Sequence, residues 1–306
     1  MKARILLAMA LTLMTIGGAY GLQRALFPSS NVAGAPLTEA HPTHNANTPN
    51  QAAAVVAEVF GQVQRKDASG HWVNLRAGER LDVNSVVRTS VGASARLAVG
   101  DSVVVDVAEE TELAVAEVSA TLSRVRLDDG RIASIVKNTA GFKLRVEVKE
   151  SDVKAETSEG EFFVMKRGAG GVSVMSKAGT TNVSSKGEEV AVRAGEQTLV
   201  EPGKAPAIPV KIPSSLLLKL GRVPPQVRTR ETIVQGSTSP GAVVSLNGER
   251  TTADATGHFE HRVSLNEGPN VIQVEAEDTL GRKATEKLPK IDVDSQPPNV
   301  SGKVKW

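Results

Sequence analysis

From Phe142 to Lys149 apolar and charged residues alternate without a break: Phe142, Leu144, Val146 and Val148 against Lys143, Arg145, Glu147 and Lys149. Side chains of an extended chain point to opposite faces in turn, so this is a strand with one face buried and one in water. The same rhythm returns at Val59-Gly61-Val63, Val103-Val105-Val107, Val172-Val174 and Val190-Val192. Turn residues interrupt it at short intervals, at 67–70, Asp128-Asp129-Gly130, 158–160, 168–171 and Lys186-Gly187. Many short strands with frequent glycine turns satisfy their backbone groups in a sandwich, barrel or helical roll, so the fold class expected is all-β. The stretch VAEETELAVAEVSATLSRV has helix-forming Ala and Glu, yet its Val and Thr density predicts strand there too.

A second all-β unit follows. PGKAPAIPVKIP holds four prolines in twelve residues, which is expected to stop regular pairing. Leu216, Leu217, Leu218 and Leu220 come next, too apolar to stay in water, so 204–223 reads as an ordered connector packing on one or both units. From Pro224 to Lys290 the pattern gives five or six short strands. Ser239-Pro240-Gly241 and Asn247-Gly248 bracket one of them, and Asn-Gly predicts a two-residue hairpin with φ > 0 at both positions. A unit of this size without a disulfide must bury its strands between two facing sheets. The proline-rich break predicts that 55–203 and 224–290 fold independently.

The amino end carries Lys2 and Arg4, an uncharged run from Ile5 to Gln23, then Arg24. This is either a signal anchor crossing the membrane through residues 5–23 with its start in the cytoplasm, or a signal peptide cleaved at Ala19-Tyr20-Gly21. With four residues ahead of the run, no cytoplasmic domain is expected. Residues 28–54, rich in Pro, Asn, Thr and Ala, read as a flexible linker spanning about 25–30 Å as a coil. The tail 291–306 alternates Val300, Gly302, Val304 and Trp306, which reads as a last edge strand. Gln296-Pro297-Pro298 echoes Val223-Pro224-Pro225.

Composition removes several function classes. Hydrophobic residues make up 40%, enough for a core, whereas aromatics at 3% argue against a base-stacking or sugar-stacking platform. A net charge of +2 over 306 residues gives no reason to expect a nucleic acid. The absence of cysteine excludes disulfides, thiolate metal sites, a Cys nucleophile and a lipid-anchor cysteine. Single residues add little. His258 and His261 sit at a strand spacing that points them to opposite faces, so no metal site is expected. His41 and His44 lie in the linker. Asp278 with the following Thr-Leu-Gly-Arg is read as a turn, and Gly168, Gly170 and Gly171 as a flexible hairpin tip. Arg88 is read as a strand arginine facing water, the alternative being that it orients an acidic partner. Asn182 and Asn299 fit a glycosylation pattern without consequence. No catalytic, cofactor-binding or metal site is expected.

Two stretches resemble known families. Gly61, Val63, Trp72, Gly78, Leu81, Val87-Arg88-Thr89, Ala95 and Leu97, then Gly160-Glu161-Phe162-Phe163-Val164, Gly179, Val183, Val190-Ala191-Val192 and Gly195, resemble the FecR periplasmic domain over about 55–203. Gly100-Asp101-Ser102 and Gly160-Glu161-Phe162 depart from that family's usual run. Gly236, Pro240-Gly241-Ala242, Leu246-Asn247-Gly248, Asp254, Gly257, Phe259, Gly268, Asn270, Val274, Asp278 and Gly281 resemble a bacterial immunoglobulin-like module of the glucodextranase-accessory type over about 224–290. The first resemblance implies a β-roll or sandwich used for periplasmic sensing or scaffolding. FecR proteins proper reach a sigma factor through a cytoplasmic segment that is not expected here. The second implies a small immunoglobulin-like sandwich serving as spacer or accessory. Together they lead us to expect a non-enzymatic protein of the bacterial inner membrane, single-pass, with its main domains in the periplasm, or a periplasmic or secreted one after cleavage near Gly21. The expected partner is an envelope or periplasmic protein. The alternative is a polysaccharide- or peptidoglycan-binding module.

Overall fold

The computed structural model describes residues 54–99 and 102–295, and every regular element among them is a strand. No helix of the described residues is long and apolar enough to cross a membrane. The 5–23 run, His41, His44, Asp101, Asn299 and the 300–306 alternation lie outside the described residues.

Two long strands organise the first β body. The strand Leu122–Val136 pairs along 122–127 with Lys143–Val148, in parallel, and along 123–129 with Glu112–Val118. Along 130–136 it pairs instead with Gly160–Lys166, and along 132–136 with Val103–Val107. The strand Val172–Ser185 does the same, pairing with Glu196–Val200 through 172–176 and with Glu188–Arg193 through 180–185. Each therefore belongs to both layers of a roll. Asp128-Asp129-Gly130 was expected to turn the chain, and here the structure corrects the sequence reading: one strand runs straight through it and bends. Gly130 has φ +107, and a Cβ there would run into Thr111. Only glycine allows that conformation and that closeness together.

The core lies between the layers. Leu81, Leu97, Leu113, Leu127, Ile132, Leu144, Val146 and Phe162 are all buried. Phe142, Leu144, Val146 and Val148 point inward as their alternation requires, while Lys143 and Lys149 are exposed. The alternation fails on the strand Val172–Ser185, where Ser173 and Met175 are buried beside Val172 and Val174.

The second β body has its own core of Leu218, Val234, Val244, Leu246, Phe259, Ile272, Val274 and Ile291. Glu231–Ser237 pairs with His258–Ser264, and Val243–Leu246 lies between Glu249–Thr252 and Gln273–Glu277. Asn247 and Gly248 have φ 49 and 96, and Leu246 pairs with Glu249 across them, the expected two-residue hairpin. Ile291–Val293 pairs with Gln226–Val227 and Gly268–Asn270, so these residues of the expected tail lie inside the second body. The connector is ordered at both ends. Leu218 enters the second core, and Leu216 and Leu220 pack against it. Its proline-rich part does not stop pairing altogether: Val210–Lys211 pairs with Glu196 and Gln197 of the first body.

Candidate functional site

The described residues of both bodies fall in one compact unit, and the bodies meet through hydrogen bonds, ion pairs and close glycine packing. The turn at Ser239-Pro240-Gly241 brings Gly241, at φ +71, against Ser173 and Leu199, leaving little room for a side chain. Thr279 is 1% exposed and its Oγ1 lies 2.7 Å from Ser173 Oγ. This explains why Ser173 is buried on a face where its strand should be wet. Arg131 Nε meets Glu277 Oε1 at 3.3 Å, and the same guanidinium presses on Gly281, where any Cβ would clash. At the rim, Arg250 pairs with Glu110 at 2.6 Å and Lys283 with Glu109 at 3.2 Å. The buried Arg167 donates to the Glu109 and Glu110 carbonyls and so holds the loop carrying both acids. The backbone N–H of Gly92 and the Lys283 ammonium hold the Glu109 carboxyl below the usual carboxylate range. Burial works against the charge on Lys283, but its hydrogen bond with Glu109 and the nearby carboxylates raise it overall.

Beside this interface the first body carries a cleft of about 600 Å³. One wall is the 168–171 loop. Far from being a free tip, as the sequence suggested, the loop has Gly170 packed so closely on Thr252 of the second body that a Cβ there would clash. The opposite rim carries Ser185 and Lys186, the latter ion-paired with Asp152. Lys166 also lines the cleft and is only 9% exposed. Its Nζ donates to the Asp128 carbonyl at 3.1 Å and the Lys149 carbonyl at 3.2 Å. Nothing in the sequence reading pointed to Lys166. The signal was there: EFFVMK from Glu161 to Lys166 is a run without alternation, the mark of a strand covered on both faces. A lysine at its end inherits that burial.

Several apolar side chains stand open among the described residues, Ile208, Leu217 and Val271 on separate segments and two more at one corner of the first body. Phe60 is 71% and Val91 76% exposed. Phe60 pairs with Ser94, and Ala93 N–H to Ser90 C=O closes the turn that carries Val91.

His258 is exposed, and His261 Nε2 lies 2.9 Å from Glu249 Oε2 on the face that buries Phe259 and Val263. Among the described residues no three His, Asp or Glu side chains converge for a metal. Asp278 does cap a turn, accepting from Leu280 N–H and Arg282 N–H, but that turn is docked through Thr279. Arg88 stands half-buried on the strand face opposite the buried Val87 and Thr89, and among the described residues it pairs with no acid. Its guanidinium lies 3.9 Å from the Trp72 ring centroid and donates to Gln64 Oε1 at 2.7 and 3.0 Å, a stacked geometry favourable for a planar cation.

The fold and these surfaces define an all-β protein of two abutting bodies. Residues 228–294 match the family model of glucodextranase domain B. No curated protein matches the chain. Among solved structures, two crystal structures of an anti-sigma-factor candidate from Parabacteroides distasonis ATCC 8503 are similar at 16% and 15% identity, both with a TM-score of 0.37. The similarity covers 41% of this chain and 59% of theirs, so the chain spans about three fifths of their length.

Proposed function

We propose that this chain is a non-enzymatic envelope protein. It holds a FecR-like β body and an immunoglobulin-like body as one stiff arm and presents them to a periplasmic protein. The interface carries the reading: Thr279 on Ser173 and Arg131 on Glu277 lock two bodies that a mere spacer would leave free to swing. The family match over 228–294 and the FecR resemblance of 55–203 support the two halves of the assignment. In this reading residues 5–23 anchor the arm in the inner membrane, and the exposed Phe60 and Val91 corner is where a protein surface docks. Apolar side chains this open are more often a contact site when they cluster.

The test is a photo-reactive residue at Val91 of the full chain in intact cells, with Ile233, 49% exposed on the other body, as control. A discrete protein adduct from position 91 alone supports the reading. Co-sedimentation of the full chain with purified peptidoglycan, with no adduct at either position, would favour the polysaccharide-binding alternative instead.

A further inference from the structure

The cleft beside the interface holds a charge that the fold does not neutralise. Lys166 is 9% exposed, yet no carboxylate of the described residues lies within 4.0 Å of its ammonium. Two acids stand beside it across the strand pairing, just before Gly130, and both are engaged elsewhere. Asp128 is paired with Arg126 and Lys149, while Asp129 accepts from Gly168 N–H and faces Arg167. Two carbonyls take two of the three ammonium donors. A buried ammonium with only neutral acceptors is costly, because carbonyl dipoles replace lost hydration incompletely. An anion entering the cleft would supply the missing partner.

We propose that this cleft binds the carboxylate of a small ligand, such as a free amino acid or the carboxyl end of a short peptide. The rim selects the charge. Glu150 and Asp152 line the mouth, and Glu150 has no cationic partner among the described ion pairs, so a doubly charged phosphate is disfavoured while a single carboxylate beside an ammonium is not. Ser151 has a hydroxyl proton to donate, while Ser185, whose proton goes to the Lys204 carbonyl, can only accept, a mix that suits a peptide-like ligand. The 600 Å³ volume falls within the ordinary range of small-ligand clefts. Because the 168–171 wall is backed by Thr252, a ligand there would also brace the contact between the bodies.

Calorimetric titration of the full chain in detergent with acetate, alanine, dialanine and inorganic phosphate tests this. Alanine and dialanine should bind and phosphate should not, and the ratio of the first two separates the two ligand sources. Lys166→Met should weaken binding on the order of tenfold to a hundredfold, the loss of one charge-assisted hydrogen-bonded partner. If Lys166→Met does not fold, the exposed Glu150→Gln variant decides. It should admit phosphate, and continued exclusion of phosphate would overturn the proposal. So would no binding of any carboxylate probe to the unaltered chain, or equal binding by a folded Lys166→Met protein.

Discussion

At the scale of single residues, the glycines separate two kinds of demand. Gly70 has φ +82 with open space where a Cβ would be, whereas Gly130 has φ +107 with Thr111 in the way. Gly70→Ala therefore meets only backbone strain, about 1 kcal/mol. Gly130→Ala meets strain and a collision inside the bend of the strand Leu122–Val136, and should cost about 3 kcal/mol or more. Urea melts of the two variants check this, and equal costs would mean that the bend relaxes freely. The charged residues at the interface show why it was hard to read from sequence. Arg131 and Glu277 look like ordinary water-facing strand positions, and nothing local marks them as facing each other across 146 residues. Ser173 likewise looks like the wet side of Val172 and Val174.

At the scale of elements, local patterns were legible wherever one sheet face met water. The strand Lys143–Val148 and the hairpin at Asn247-Gly248 fall where alternation and turn chemistry put them. The hairpin sharpens a prediction. Gly248 has open space, with nothing within 4 Å of where a Cβ would stand, so Gly248→Val should lose stability through its backbone alone, about 1–3 kcal/mol. Asn247→Gly keeps the geometry and loses only the bond from Gln273 N–H to Asn247 Oδ1, exposed and worth about 0.5 kcal/mol. Thermal melts that place both variants at the same stability would contradict the φ requirement. The turn reading failed at Asp128-Asp129-Gly130 for a reason of the same kind. Asp-Gly favours a turn locally, but strands on both sides of Leu122–Val136 hold the chain extended through it. Tertiary pairing outweighs that preference. The 168–171 loop is held by Asp129 and Leu199 of its own body and by Thr252 of the other, contacts too distant in sequence for a local pattern to show.

At the scale of the whole molecule, the property that matters is whether the two bodies move as one. Acid offers one probe. The Glu109 carboxyl is held below its unfolded value, so its contribution is present above the ordinary carboxylate range and is lost as pH falls through the lower folded value. Protonation then removes the Lys283 pair at the interface rim. Scanning calorimetry of the full chain should show one coupled transition near pH 7 and two once the pH is below the lowered folded value of the Glu109 carboxyl. Two transitions at neutral pH would instead support the independent folding read from the proline-rich connector. The most direct measurement uses the absence of native cysteine. Cysteines placed at exposed Glu188 and Glu260 report on one body each and take spin labels without interference. Pulsed dipolar spectroscopy of the full chain should give one narrow distance distribution, broadened when Arg131→Ala and Thr279→Ala are combined. A broad distribution in the unaltered chain, unchanged by those substitutions, would contradict the stiff two-body arm.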